Sequence, residues 1–273
     1  MKQQPIGIFD SGYGGLTVLK EITAKLPQYD YIYLGDNARS PYGTRSFETV
    51  YEYTLECVKW LFEQGCTLVV LACNTASAKA LRTIQQNDLP KIDAAKRVLG
   101  VIRPTTELIG RFTKTGNVGI LATNGTVISN SYPIEIQKFY PELNVFQQAC
   151  PMWVPLVENN EYNNPGADYF IQKNINDLLS QSSQIDTILL ACTHYPLLIE
   201  KIRKAVPTGM TILSQGEIVA ESLQTYLERH TEIEGNCSKN GQLSFFTTDS
   251  TEDFDNHAAI FYGKPIKSAH LRL

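Results

Sequence analysis

Apolar and polar positions follow two rhythms along this chain. Short apolar runs, Ile6-Gly7-Ile8-Phe9, Tyr29–Leu34 and Leu68-Val69-Val70-Leu71, read as buried strands. Between them apolar residues recur at helical spacing. Leu16, Leu19, Ile22 and Leu26 share one helix face, Phe47–Glu63 forms a second helix, and a third runs from about Ala76 to Gln86. Strand patterns return at Val98–Ile102, Val118–Leu121, Asn144–Phe146 and Ile188–Leu190. They are followed by Thr211-Ile212-Leu213, a helix through about Glu228 and a strand over Gln242–Thr247. Strands alternating with helices predict an α/β fold of parallel sheets covered by helices.

The strands fall into two similar sets. Ile6-Gly7-Ile8-Phe9-Asp10-Ser11 resembles Val118-Gly119-Ile120-Leu121-Ala122-Thr123, 112 positions later. Val69-Val70-Leu71-Ala72-Cys73-Asn74-Thr75 resembles Ile188-Leu189-Leu190-Ala191-Cys192-Thr193-His194, 119 positions later. Two matches in the same order at nearly the same offset indicate an internal duplication. The expected architecture is two pseudo-symmetric lobes with a cleft between them. Turn-rich Asn87-Asp88-Leu89-Pro90 and Pro207-Thr208-Gly209 suggest the boundaries. The first lobe is then 1–97 plus 208–273, and the second is 98–207.

Composition narrows the function classes. The chain has 273 residues, 43% hydrophobic and 19% charged, ordinary for a protein with a real core. A net charge of −4 offers no basic footprint for nucleic acid. The start, Met1-Lys2-Gln3-Gln4-Pro5, carries no apolar leader, and no run approaches a membrane span, so a soluble, cytoplasmic protein is expected. Six cysteines in a chain this long, with no secretion signal expected, argue against disulfides, and the lack of a CxxC or of histidines at ligand spacing argues against a structural zinc site.

A free cysteine is usually a small buried hydrophobe. Cys57, Cys66, Cys150 and Cys237 are read that way. Cys73 and Cys192 differ, because each follows an apolar strand and precedes a helix-like segment, at the same turn of the two repeats. Ligands bind outside the carboxyl ends of parallel strands, and a helix start favours thiolate. Pro196 suits the first turn of the segment after Cys192. Two opposed thiols can invert a stereocentre without a cofactor: one takes a proton from carbon while the other delivers one to the opposite face. Fixed dipoles must then stabilise the carbanion.

Asp10-Ser11-Gly12-Tyr13-Gly14-Gly15 lacks the dinucleotide and P-loop fingerprints, so a nucleotide is disfavoured. Its N–H groups and Ser11 suit a carboxylate, and Asp10 could accept a proton from the substrate ammonium or from Cys73. Gly35 to Gly43, ending in Pro41-Tyr42-Gly43, falls at another strand end and can line the cleft.

These segments, with Ala72 to Ser77 and Cys192-Thr193-His194-Tyr195-Pro196-Leu197, resemble the signature segments of the glutamate racemase family. Ala122 to Thr126, Cys150-Pro151 and Val154 to Glu158 add to the resemblance, which covers almost the whole chain in order. The resemblance implies a cofactor-independent, metal-free racemase that supplies D-glutamate for bacterial peptidoglycan. It implies Cys73 and Cys192 as acid/base thiols, Asp10 assisting Cys73, and His194 assisting Cys192 with Glu158 nearby. Asp10, Ser11, Tyr42, Gly43, Asn74, Thr75, Thr193 and His194 would bind the amino acid, helped by Thr123, Thr126 and Glu158. The chain departs from the family at Arg103-Pro104-Thr105, where many members carry an acidic residue before the proline, and at Ser214-Gln215-Gly216-Glu217, where many carry Asp-Ser. The rivals are an aspartate racemase, a related decarboxylase or isomerase, and a non-catalytic binding or regulatory protein. Oligomeric state stays open, a homodimer included.

Overall fold

A computed structural model describes residues 4–273. Among the described residues ten strands form two sheets, and every pairing is parallel. The first sheet contains β1 (Ile6–Asp10), β2 (Tyr31–Gly35), β3 (Leu68–Leu71), β4 (Arg97–Gly100), β9 (Leu243–Thr247) and β10 (Ser268–His270). Its order is β10-β9-β2-β1-β3-β4. The second contains β5 (Asn117–Ala122), β6 (Asn144–Ala149), β7 (Thr187–Ala191) and β8 (Thr211–Leu213), in the order β6-β5-β7-β8. Strands β2-β1-β3-β4 thus correspond one for one to β6-β5-β7-β8.

The correspondence extends to register. Gly7 of β1 lies beside Val69 of β3 and Ile32 of β2. Gly119 of β5 lies beside Ile188 of β7 and Phe146 of β6. Gly7 with Gly119 and Val69 with Ile188 are pairs the sequence repeat equates, so the duplication holds at single-residue resolution along β1, β3, β5 and β7. By the same register Asp36, just after β2, corresponds to Cys150, just after β6.

The central strands are continuous apolar runs because helices cover both faces. Helix Phe47–Glu63 forms over the expected residues and starts at Ser46, whose Oγ accepts from Thr49 N at 3.2 Å. It buries Val50, Cys57, Val58, Leu61 and Phe62 against Phe9, Leu34, Val69 and Leu71. Each large apolar side chain so buried contributes about 1.5–3 kcal/mol relative to exposure. Ile6 and Ile8 point to the other face, where helices Leu16–Lys25, Gly216–Arg229 and Thr251–Tyr262 pack.

Two strands fall on the other side of the expected boundaries. Segment 97–100 joins the first sheet beside β3, and 211–213 joins the second beside β7. Both are short and lie at a sheet edge, so nothing in their pattern says which sheet they enter. The chain therefore leaves the first sheet at Val101. It returns after Leu213, when Gly216–Arg229 packs on Leu16–Lys25. The helix expected over 76–86 instead runs in pieces from Asn74 to Ile92, with a π turn over Ile84–Asp88. Pro90 has no N–H for the Gln86 carbonyl, and its ring crowds that carbonyl, so the ladder shifts just before it. Among the described residues no helix is long and apolar enough to cross a membrane.

Candidate active site

The carboxyl ends of β1, β2 and β3 and those of β5, β6 and β7 border one cavity of about 110 Å³. One water centre needs roughly 10–15 Å³ on this measure, so the space admits a small organic molecule. Cys73 lines it from the first sheet and Cys192 from the second. Ser11, Tyr42, Gly43, Asn74, Thr75, Thr123, Glu158, Thr193 and His194 join them in the wall. Asp10 and Thr126 stand behind the wall, 1% and 0% exposed.

Cys73 directly precedes helix Asn74–Lys79, and its Sγ accepts from Ala76 N at 3.4 Å. The thiol reaches Ser11 Oγ at 3.5 Å. The helix start was expected to favour thiolate here. Burial outweighs it and pushes the thiol up to about 12, and the Asp10 charge adds to the rise. Burial also raises the Asp10 carboxyl, against the pull of His194 and of the Gly15 and Gly12 backbone. Gly12 N donates to Asp10 Oδ2 at 3.0 Å.

Cys192 meets different company. Its Sγ is 3.9 Å from His194 Nδ1, and His194 Nε2 is 2.9 Å from Glu158 Oε1. Burial would lower the imidazole, but the hydrogen bonds and charges of Cys192 and Glu158 prevail and lift it to about 10. The balance favours the charged imidazole beside Cys192. The expected helix start after Cys192 is a 3-10 turn over Tyr195–Leu198, with the α-helix beginning at Ile199. Pro196 lies in that turn, where the missing N–H costs nothing. Phe261 packs its ring edgewise on His194, with centroids 5.2 Å apart.

Two close approaches hold the lobes together. A Cβ at Gly14 would lie 2.1 Å from Thr193 Oγ1 and 2.5 Å from His194 Nδ1, so only glycine fits there. A Cβ at Gly43 would lie 3.0 Å from Thr123 Cβ. Thr75 Oγ1 meets Thr123 Oγ1 across the cleft at 3.0 Å, and Thr126 Oγ1 backs Thr123 at 3.2 Å. Thr126 thus supports the wall rather than forming it. The Tyr42 hydroxyl donates to Asp36, so its ring and backbone, not its hydroxyl, face the cavity. Lys79 donates to the Arg45 carbonyl at 2.6 Å and ties the loop after Tyr42 to the Cys73 helix.

Some wall residues were not singled out by sequence. Cys150, read as packing, lines the cavity with Pro151, Val154 and Pro155. The repeat read from sequence did not reach this segment; strand register alone makes Cys150 the counterpart of Asp36 at the head of the Pro41 loop. In sequence Gln215 stands out only as a departure from the family pattern. It lies just behind the wall, where its Oε1 accepts from Asn74 Nδ2 at 2.7 Å. All six cysteines are free.

Known proteins share this arrangement. The family model for Asp/Glu/Hydantoin racemase matches residues 14–223. A glutamate racemase of Persephonella marina is 37% identical over 269 residues, covering 98% of this chain and 97% of its own. The crystal structure of a glutamate racemase isoform from Bacillus anthracis superposes with a TM-score of 0.90 at 35% identity, covering 100% of this chain and 99% of that one. That of a glutamate racemase from Francisella tularensis, in complex with D-glutamate, gives 0.88 at 28%, covering 100% and 98%. With two repeated sheets, a thiol at the same turn of each and full-length similarity to such relatives, the chain belongs to the Asp/Glu/Hydantoin racemase family.

Proposed function

We propose that this protein interconverts L- and D-glutamate by passing the α-proton between Cys73 and Cys192. One observation carries the reading: the two thiols border the same small cavity from equivalent turns of a duplicated sheet. The relatives named for glutamate, one of them bound to D-glutamate, support the choice of substrate.

In one direction Cys192, as thiolate beside the His194 imidazolium, takes the α-proton. The C–H electron pair stays on carbon, and the carbanion is delocalised into the α-carboxylate. The neutral Cys73 thiol then gives its proton to the opposite face. The product leaves with Cys73 as thiolate and Cys192 as thiol, which is the starting state for the reverse reaction. Both proton carriers are side chains, so the step needs no bound cofactor. Ser11, Asn74, Thr75, Thr123, Thr193 and the Tyr42–Gly43 backbone would hold the two carboxylates. Asp10 would serve Cys73 as His194 serves Cys192, with Glu158 keeping the imidazole charged. The proposed role is cytoplasmic supply of D-glutamate for peptidoglycan synthesis.

Exchange in D₂O tests the proposal. The purified protein should exchange the α-hydrogen of both glutamate enantiomers, and optical rotation should relax to zero. Exchange of aspartate without glutamate would overturn the substrate, and exchange of no amino acid would overturn the racemase reading.

A further inference from the structure

Gln215 stands where the chain returns from the second sheet, and Val101 where it leaves the first. The two points touch: Gln215 Nε2 donates to the Val101 carbonyl at 3.2 Å. Its second N–H goes to the Tyr132 hydroxyl at 2.8 Å, and Thr105 Oγ1, 3.0 Å from the same nitrogen, itself donates to the Val101 carbonyl at 3.1 Å. The Tyr132 hydroxyl in turn donates to Asn74 Oδ1 at 2.5 Å, and Asn74 Nδ2 donates to Gln215 Oε1 at 2.7 Å. Asn74, Gln215 and Tyr132 thus form a closed ring in which each side chain donates once and accepts once. All three are buried, at 2%, 4% and 0% exposure.

The sense of the ring is fixed from outside it. A backbone carbonyl can only accept, so Val101 forces the Gln215 NH₂ to its side. Gln215 Oε1 must then face Asn74, which turns Asn74 Nδ2 toward it and leaves Oδ1 for the tyrosine proton. A flipped Asn74 would set two oxygens against each other in a dry interior, where an unmade hydrogen bond costs about 1–3 kcal/mol. Asn74 also lines the cavity, and its second Nδ2–H is left over from the ring.

We infer that Gln215 is a positioning residue: through the ring with Tyr132 it fixes which way the Asn74 carboxamide presents itself to the substrate, and it anchors that orientation to the joint between the lobes. The inference rests on the proposed racemisation for its kinetic readout. Asn74 binds rather than transfers protons, so its misorientation weakens binding in ground and transition states alike.

The test compares Gln215→Leu, Gln215→Glu and Tyr132→Phe with the unmodified protein. Each should raise KM for glutamate about tenfold and leave kcat within about threefold. In the Asn74→Ala background Gln215→Leu should change KM no further, because its effect runs through Asn74. In ¹⁵N-labelled unmodified protein the Asn74 side-chain amide should give two resolved, slowly exchanging proton signals, and Gln215→Leu should speed their exchange. If the variants lower Tm while KM stays within twofold, or if Gln215→Leu raises KM equally without Asn74, the ring is structural only and the inference falls. Should Gln215→Leu fail to fold, Tyr132→Phe and Gln215→Glu decide the same question. If the unmodified protein racemises nothing, the functional reading fails, while the amide spectrum still reports on the ring.

Discussion

The turns after β3 and β7 are two copies of one design that have acquired opposite partners. Strand register equates Cys73 with Cys192. Yet Cys73 has a buried carboxylate, Asp10, in its surroundings, and Cys192 has an imidazole backed by Glu158. A negative neighbour keeps a thiol protonated, and a positive one favours thiolate. A symmetric scaffold thus carries unsymmetric surroundings, a carboxylate near one thiol and an imidazole near the other, which suits the proposed transfer between two faces of one carbon. Duplication supplies the geometry, and divergence at the flanking residues supplies the charge.

The strongest way to break the comparison is to remove either sulfur. Cys73→Ser and Cys192→Ser should each lower racemisation by about 10³-fold, followed by optical rotation. Full turnover by either variant would end the two-thiol mechanism. Asp10→Asn and His194→Asn should each cost about 10²-fold in kcat/KM. Because the equilibrium constant is one, that loss must be equal from both enantiomers. The asymmetry should emerge in the α-deuterium isotope effect, with Asp10→Asn raising it from one enantiomer and His194→Asn from the other. The same enantiomer in both variants would mean the two partners do not serve separate thiols.

A gentler test uses pH. His194 rises from its ordinary 6.5 to about 10 on folding, so the native state holds a proton that the unfolded chain releases. This contribution to stability is complete below about pH 6.5 and is lost as pH climbs toward 10. Glu158→Gln should flatten that decline in urea unfolding at pH 6.5, 8 and 9.5, and an unchanged slope would separate Glu158 from the imidazole. The smallest effect belongs to the threonines. Thr75→Val should raise KM several-fold while stability changes by about 1 kcal/mol, read by calorimetry.

The repeat, the helix over Phe47–Glu63 and the placing of Cys73 and Cys192 at strand ends were legible along the chain, because each depends on local periodicity and on neighbours in sequence. Strands β4 and β8 were legible as strands but not their sheets, since a three- or four-residue edge strand takes its sheet from whichever neighbour is free to pair. Cys150 was read as packing because a lone cysteine carries no label. Only the register of β6 on β5 sets it opposite Asp36 in the repeat and in the cavity wall. Thr126 belonged to the right segment, but its hydroxyl is spent on Thr75 and Thr123.

The sequence by itself determined the α/β class, the duplication and the pair of thiols, since these are written in patterns that repeat over a few residues. Tertiary structure decided how charge and hydrogen bonds are shared out. It buried Asp10 and raised its carboxyl, set Glu158 against His194, and closed Asn74, Tyr132 and Gln215 into one ring across the joint. Those partners lie 36 to 141 positions apart. Their energies depend on exclusion of water, which no single stretch of chain achieves alone.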